Sequence, residues 1–237
     1  MQTNILNSVQ FHWWDYNKTW YEISLSTLMQ LQREWIIEHI GVTNCNVKFL
    51  KRLETELWFT PMTTQNQYSI IDRRAEEFLI PYVLEKDIWL YCYGSLMGWL
   101  LSNKYLWKSR PEEPLENRSL RKYLRVIGDW ADWKLFQELL QVLSKIWERN
   151  WASISEVSIA WILHQAWVSS AIVWVRNTKH LDSLDRALSI HLTKEDLDNI
   201  DMIYFKWQPL EWDVFDLERD EPRHRDIMKF NLNKNES

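Results

Sequence analysis

The sequence predicts an α/β protein made of repeated βα units on a parallel sheet, and three observations carry that prediction. Short apolar or β-branched runs alternate with segments of helical period. The intervals between the runs are similar, and each holds one helix. Successive runs also stop in polar or aromatic residues, at His12, at Thr43-Asn44, at Gln65 and at Tyr93-Gly94-Ser95. In parallel α/β architectures the carboxyl ends of the strands are where chemistry sits.

The first run, Val9 to Phe11, ends in His12, two indoles and Asp15, and reads as a buried strand delivering polar groups to its end. Ser24 to Glu34 follows with Leu25, Leu28, Met29 and Gln32 at helical spacing. Ile36 to Val42 is a second strand ending in Gly41-Val42-Thr43-Asn44. Val47 to Leu57 is helical, and Pro61 to Gln67 is a third strand. Arg73 to Lys86 is a third amphipathic helix, and Ile88 to Tyr93 a fourth strand. Gly98 to Leu120 contains Pro111, Pro114 and mixed charges, and reads as a surface loop. Helices follow at Lys134 to Arg149 and Ile154 to Gln165, the second opened by the Ser153-Ile154-Ser155-Glu156 capping box. Ala171 to Val175 is a fifth short strand. Helices then run from about Lys179 to Leu188 and from Thr193 to about Phe205, and a polar, irregular tail occupies 207–237. No second domain and no low-complexity tract interrupts this order.

With 237 residues the chain can bury a substantial core. Its net charge of −5 and its pI near 5.7 argue against nucleic acid and anionic membranes as partners. Cys45 and Cys92 lie far apart in apolar settings, which fits a reducing compartment and no disulfide framework. No signal peptide and no membrane-spanning apolar run is visible, so a soluble, cytoplasmic protein is the expectation. One feature of the composition is abnormal: glycine occurs 4 times and tryptophan 17 times. Glycine is the usual residue wherever a turn or helix end needs positive φ, and tryptophan stands at several such places, among them Trp35, Trp99, Trp107 and Trp151.

The stretches QREWIIEHIGVTNCNVKFL, TQNQYSIIDRRAEE, YGSLMGWLLSNKYL and EVSIAWILHQAWVSSAIVWVRN occur in the order and at the spacing of the aldo-keto reductases. From about Ile5 to Asp201 the chain resembles that family of NADPH-dependent carbonyl reductases with a (β/α)8 barrel. The resemblance implies a partial TIM barrel comprising the equivalent of strands 4–8 with flanking helices, so that 1–237 is one incomplete reductase domain. It implies NADP(H) as cofactor and a small carbonyl compound as substrate. Residue by residue, His12 matches the active-site histidine that orients the substrate carbonyl. Thr43, Asn44 and Gln65 match contacts to the nicotinamide carboxamide, and Tyr93 matches the aromatic residue stacked on the nicotinamide. Gly94, Ser95 and Leu96 match the segment passing the pyrophosphate. Val175 and Arg176 match the strand end where an arginine meets the adenosine 2′-phosphate. Asp182 and Asp185 lie where the family contacts adenine. Taken singly each residue has a plain structural reading, as a strand-end cap, a core ring or a surface cation. Their joint appearance after successive strands points to a dinucleotide site.

Two departures qualify the resemblance. The family's aspartate, proton-donating tyrosine and lysine come from strands before the one ending in His12, and this chain begins only a few residues ahead of it. Tyr16 and Lys18 follow His12 and read as loop residues. The expectation is a reductase portion inactive alone and completed by an N-terminal half, with a non-catalytic nucleotide-binding or regulatory scaffold as the alternative. Secondly, Trp35, Trp89, Trp99, Trp107, Trp151, Trp167, Trp174 and Trp212 stand where the resemblance implies glycine, whereas Trp13, Trp14, Trp130, Trp133 and Trp161 fit the family. So systematic an exchange suggests UGA codons written as tryptophan but used for glycine.

Overall fold

The computed structural model describes residues 5–16, 19–175, 178 and 181–227. Five strands form one parallel sheet in sequential order: β1 (Leu6–His12), β2 (Ile37–Thr43), β3 (Thr63–Gln67), β4 (Trp89–Tyr93) and β5 (Val168–Ala171). Each pairs with its sequence neighbour, with His12 beside Thr43, Thr43 beside Gln65, and Gln67 beside Tyr93. Strictly sequential parallel order is the arrangement of a barrel wall. The outer edges of β1 and β5 pair with no other described strand.

Helices α1 (Trp20–Arg33), α2 (Val47–Leu57) and α3 (Leu79–Glu85) connect the first four strands. One face of the sheet packs against this layer, burying Ile40, Val42, Leu90 and Cys92 with Leu25, Phe49, Leu50 and Leu53. Asn46 caps α2 by accepting a hydrogen bond from the Phe49 amide at 2.9 Å. The predicted third helix is divided, with a 3-10 turn at Arg74–Glu76 before α3 begins at Leu79. Pro81 explains the division: lacking an N–H, it is accommodated in a first helical turn and not in a helix interior.

Beyond β4 the structure differs from the sequence prediction in four places, the last being the tail, which forms short helices where an irregular segment is expected. Leu100 and Leu101 are buried, so the segment beginning at Gly98 enters the core before it reaches the surface. A helix α4 (Arg118–Trp130), capped by Asn117, overlaps its end and buries Leu120, Tyr123, Leu124, Ile127 and Trp130. The fifth strand is Val168–Ala171, not Ala171–Val175; its ladder with β4 pairs Leu90 with Val168 and Cys92 with Ala171, and only the Ile172 amide extends it, to the Cys92 carbonyl at 2.7 Å. Helices α5 (Trp133–Asn150) and α6 (Ile154–His164) follow α4, and the Ser153–Glu156 capping box forms at the start of α6. After β5 come α7 (Leu181–Ala187) and α8 (Lys194–Tyr204), and the tail holds two short helices, α9 (Asp216–Asp220) and α10 (Pro222–Arg225). No described helix is long and apolar enough to cross a membrane.

Candidate active site

Side chains alternate across a strand, so register decides which residues share a face. A Cβ on Gly41 would fall 2.0 Å from Thr63 Oγ1 and 2.3 Å from Gln10 Nε2, which places Gln10, position 41 and Thr63 together on the face opposite the helical layer. Two residues further along, His12, Thr43 and Gln65 occupy the same face at the carboxyl rim. Gln67 and Tyr93 lie one step beyond. The rim is polar because the strand sequences end in amide, hydroxyl and imidazole groups, while the apolar residues of the same strands face the helices.

Asn44 joins the rim together. Its amide oxygen accepts from the Tyr93 hydroxyl at 2.6 Å, and its amide nitrogen lies 3.2 Å from His12 Nε2. With that nitrogen donating, His12 Nε2 is the acceptor and the neutral ring carries its proton on Nδ1. Partial burial, and secondly the Arg219 charge, hold His12 below its usual pKa, so the neutral ring is favoured. The Asn44 backbone is left-handed at φ 59°, a conformation asparagine tolerates better than most residues. It is held there by three hydrogen bonds: its amide donates to the Gln65 carbonyl at 2.9 Å, and its carbonyl accepts from Tyr16 Oη at 2.9 Å and from Arg219 Nη2 at 3.2 Å. Thr43 is buried beside it.

Tyr93 is flanked by charge. The Lys122 ammonium stands 5.4 Å from its ring centroid and pairs with Glu218 at 3.5 Å. Glu218 pairs with Arg74 at 3.0 Å, and Arg74 with Asp72 at 2.7 Å. Gln67 donates to the same Asp72. Burial alone would raise the Glu218 carboxyl; the Arg74 and Lys122 charges override it and hold the group well below the usual carboxylate range. Burial also pushes the Tyr93 hydroxyl well above its ordinary pKa, which makes it a poor proton donor. Through Glu218 and Arg219 the tail therefore grips the rim from β2 to α4. The sequence reading missed this contribution, because Arg74 and Glu218 are 144 residues apart and nothing local in either segment signals the pair.

Further along the rim, Gly94 has φ 74°, and a Cβ there would meet the Tyr123 hydroxyl at 2.8 Å. The 94–97 turn closes through the Met97 amide on the Gly94 carbonyl at 2.8 Å, a bond that leaves the amides of Ser95 and Leu96 to other partners. Ser95 Oγ donates to the Cys92 carbonyl at 3.2 Å. The Leu96 side chain is turned away from the rim, packing with Ile159 and Ala187. Trp99 Nε1 donates to the Trp174 carbonyl at 3.3 Å, tying the turn to the segment after β5. Val175 is half-buried in that segment, outside any strand. Asp182 lies exposed in the first turn of α7, and Asp185 lies exposed one turn on. Arg176 and Lys18 fall outside the described residues.

A cavity of about 430 Å³ opens beside this rim, between the Trp14–Tyr16 segment, the start of α2 and the tail. Lys48, Arg52 and Arg219 line it together with Asp15, Asp216 and Asp220. Cys45 and Cys92 are buried free thiols; desolvation lifts Cys45 to about 12 and raises Cys92 further. Neither is a ready nucleophile. No cluster of three metal-ligating side chains occurs among the described residues.

A parallel, sequentially ordered α/β wall with amides, an imidazole and an aromatic ring along its carboxyl rim is one side of a barrel-type scaffold. The aldo/keto reductase family profile matches residues 1–204, and the chain belongs to that family. It is 26% identical over 205 residues to the aldo-keto reductase YhdN of Bacillus subtilis, covering 86% of this chain and 59% of the relative. It is 24% identical over 181 residues to the aldo-keto reductase str7 of Strobilurus tenacellus, covering 76% of this chain and 52% of that one. Among solved structures, the thermostable aldo-keto reductase Tm1743 bound to the inhibitor epalrestat superposes with a TM-score of 0.63 at 21% identity, over 85% of this chain and 61% of its own. An aldo/keto reductase from Klebsiella pneumoniae in complex with NADP and acetate gives 0.62 at 18%, over 90% and 62%. The chain thus spans somewhat over half the length of the curated relatives it matches.

Proposed function

We propose that the chain forms the His12-to-Arg176 side of an NADPH-dependent reductase acting on aldehydes, ketones or sugars. The observation that carries the proposal is the His12–Asn44–Tyr93 linkage across the ends of β1, β2 and β4. The donor set fits a nicotinamide. Asn44 and Gln65 present side-chain amides at adjacent strand ends, suited to a carboxamide, and no hydrogen bond to another described side chain is seen for the Gln65 amide. Lys122 takes one side of the Tyr93 ring, so stacking would use the other. NADPH, when bound, supplies the hydride.

In this reading the chain's own residues bind and orient. Asn44 exchanges its Tyr93 and His12 partners for the carboxamide, and Thr43 closes the same edge. Freed from Asn44, His12 turns to the carbonyl oxygen of the substrate. At the other end the 94–97 turn offers amides to the pyrophosphate, and Val175, Arg176, Asp182 and Asp185 belong to the adenosine side. Proton delivery requires an acid within hydrogen-bond reach of the carbonyl oxygen. Tyr93 is a poor candidate, since burial raises its hydroxyl well above its ordinary pKa. The aspartate, tyrosine and lysine of the family would come from polypeptide outside these 237 residues, paired along the edges of β1 and β5 that no other described strand covers.

The proposal is tested by NADPH titration of the chain, followed by carbonyl reduction assayed with and without an added segment carrying three further βα units. Binding by the chain, with NADPH oxidation only in the presence of the segment, supports it. Saturable binding with no oxidation in either case supports the alternative, a nucleotide-binding scaffold. Absence of binding to both preparations rejects the two readings together.

A further inference from the structure

Nine described non-glycine residues have φ in the left-handed region, and five of them are tryptophan: Trp35 at 58°, Trp58 at 52°, Trp99 at 69°, Trp107 at 62° and Trp151 at 53°. Tryptophan makes up 17 of the 237 residues, so nine positions drawn at random would include fewer than one. Asn44 and Asp87, also on that side, are types that visit the region readily; a bulky indole-bearing residue is not.

At four of the five positions the side chain gains little burial to offset the strain; Trp99 differs in being half-buried, with its Nε1 bonded to the Trp174 carbonyl. Trp58 is 91% exposed and Trp151 90%, and Trp35 and Trp107 are also exposed. An indole standing in water contributes no burial. Trp130 and Trp161, by contrast, are buried in the core with ordinary backbone. Trp130 and Trp161 pack in the core, whereas Trp35, Trp58, Trp107 and Trp151 stand exposed in turns.

The turns themselves are of the kind glycine makes. Trp58 and Trp151 are the left-handed residues directly after α2 and α5. After Trp35 and Trp151 the next amide folds back over the helix end, Ile36 to the Leu31 carbonyl at 2.9 Å and Ala152 to the Trp147 carbonyl at 3.3 Å. That wrap-around bond marks a helix terminus whose left-handed residue is usually glycine. Trp99 follows Met97 at φ 49° and Gly98 at φ 64°, so three left-handed residues stand in succession.

We infer that the natural polypeptide carries glycine at positions 35, 58, 99, 107 and 151, the codon written there as tryptophan being read as glycine in the cell that makes the protein. Trp58 extends the set suggested by the family resemblance. Trp89, Trp167, Trp174 and Trp212 have no left-handed backbone, and the inference does not reach them. It is independent of the coenzyme proposal, because it rests on backbone angles and solvent exposure alone.

Peptide mass spectrometry of the protein isolated from its source cells tests it. Glycine at positions 35, 58, 99, 107 and 151, with tryptophan retained at 130, 133 and 161, is the expected result; tryptophan at 58 and 151 would overturn it. Recombinant chain made with tryptophan supplies a second reading. W58G and W151G should each raise Tm by about 2–4 °C, while W130G should lower it. A fall in Tm for both exposed-site variants would count against the inference.

Discussion

The two halves of the carboxyl rim are built differently. From β1 to β4 the rim is a connected hydrogen-bonded surface, with Asn44 between His12 and Tyr93, and with Arg219 and Glu218 of the tail locked onto it. From β4 to β5 it is a turn whose Leu96 side chain faces away, with one indole bonded to a backbone carbonyl across the gap. The first half uses a residue suited to its backbone conformation, since asparagine tolerates left-handed φ. The second half includes Trp99 in a conformation that costs a non-glycine residue roughly 1–2 kcal/mol. The difference teaches that the β1–β4 half, proposed to hold the nicotinamide, is assembled in the chain as written, whereas the β4–β5 half carries left-handed strain at position 99 that a smaller residue would relieve.

The largest effect should follow from breaking the first half. Arg74→Met removes the partner of both Asp72 and Glu218 in a fully buried cluster, and losing one member of such a pair costs about 3–5 kcal/mol. Urea unfolding should show that loss, together with exposure of the tail to protease. Next in size is Asn44→Ala, which leaves the Tyr93 hydroxyl without its acceptor. The expected cost is about 1–3 kcal/mol of stability, with weaker NADPH binding in a fluorescence titration; unchanged affinity would separate Asn44 from the coenzyme.

Sharpening the second half should give a smaller change of opposite sign. Trp99→Gly relieves left-handed strain and removes the indole beside the 94–97 turn, so stability should rise by about 1 kcal/mol and NADPH affinity should increase. A loss of affinity would show that the indole assists the coenzyme. Acidification separates the halves without mutation. The folded-state pKa of Glu218 is depressed, so its contribution to stability is present above the unfolded value, about 4.3. It is lost as pH falls below that value toward the folded pKa. Tail protection in hydrogen exchange should therefore decline below about pH 4.3, before the α2–β3 core opens.

Much of this was legible in the sequence. The strand and helix alternation from His12 to Tyr93 followed from period alone, and the capping box at Ser153 located α6. What escaped was set by distant contacts or by a misleading local signal. Pro111 and Pro114 suggested loop through Leu120, although Leu120, Tyr123, Leu124 and Ile127 already carry the spacing of α4. β5 was read too late because Ile172 to Val175 is apolar, whereas the ladder is fixed by pairing with Leu90 and Cys92. The rim residues His12, Asn44 and Tyr93 could be nominated individually from strand ends and the family resemblance. Their linkage, and the tail's grip through Glu218 and Arg219, depends on tertiary geometry that no local pattern encodes.

The most direct test of the account is a crystal structure of the complete polypeptide with NADPH bound. The nicotinamide ring should lie against Tyr93, with its carboxamide within hydrogen-bond reach of Asn44 and Gln65 and its reactive edge facing His12. A nicotinamide seated at the opposite end of the strands, or at this rim without contact to Asn44 and Tyr93, would contradict it.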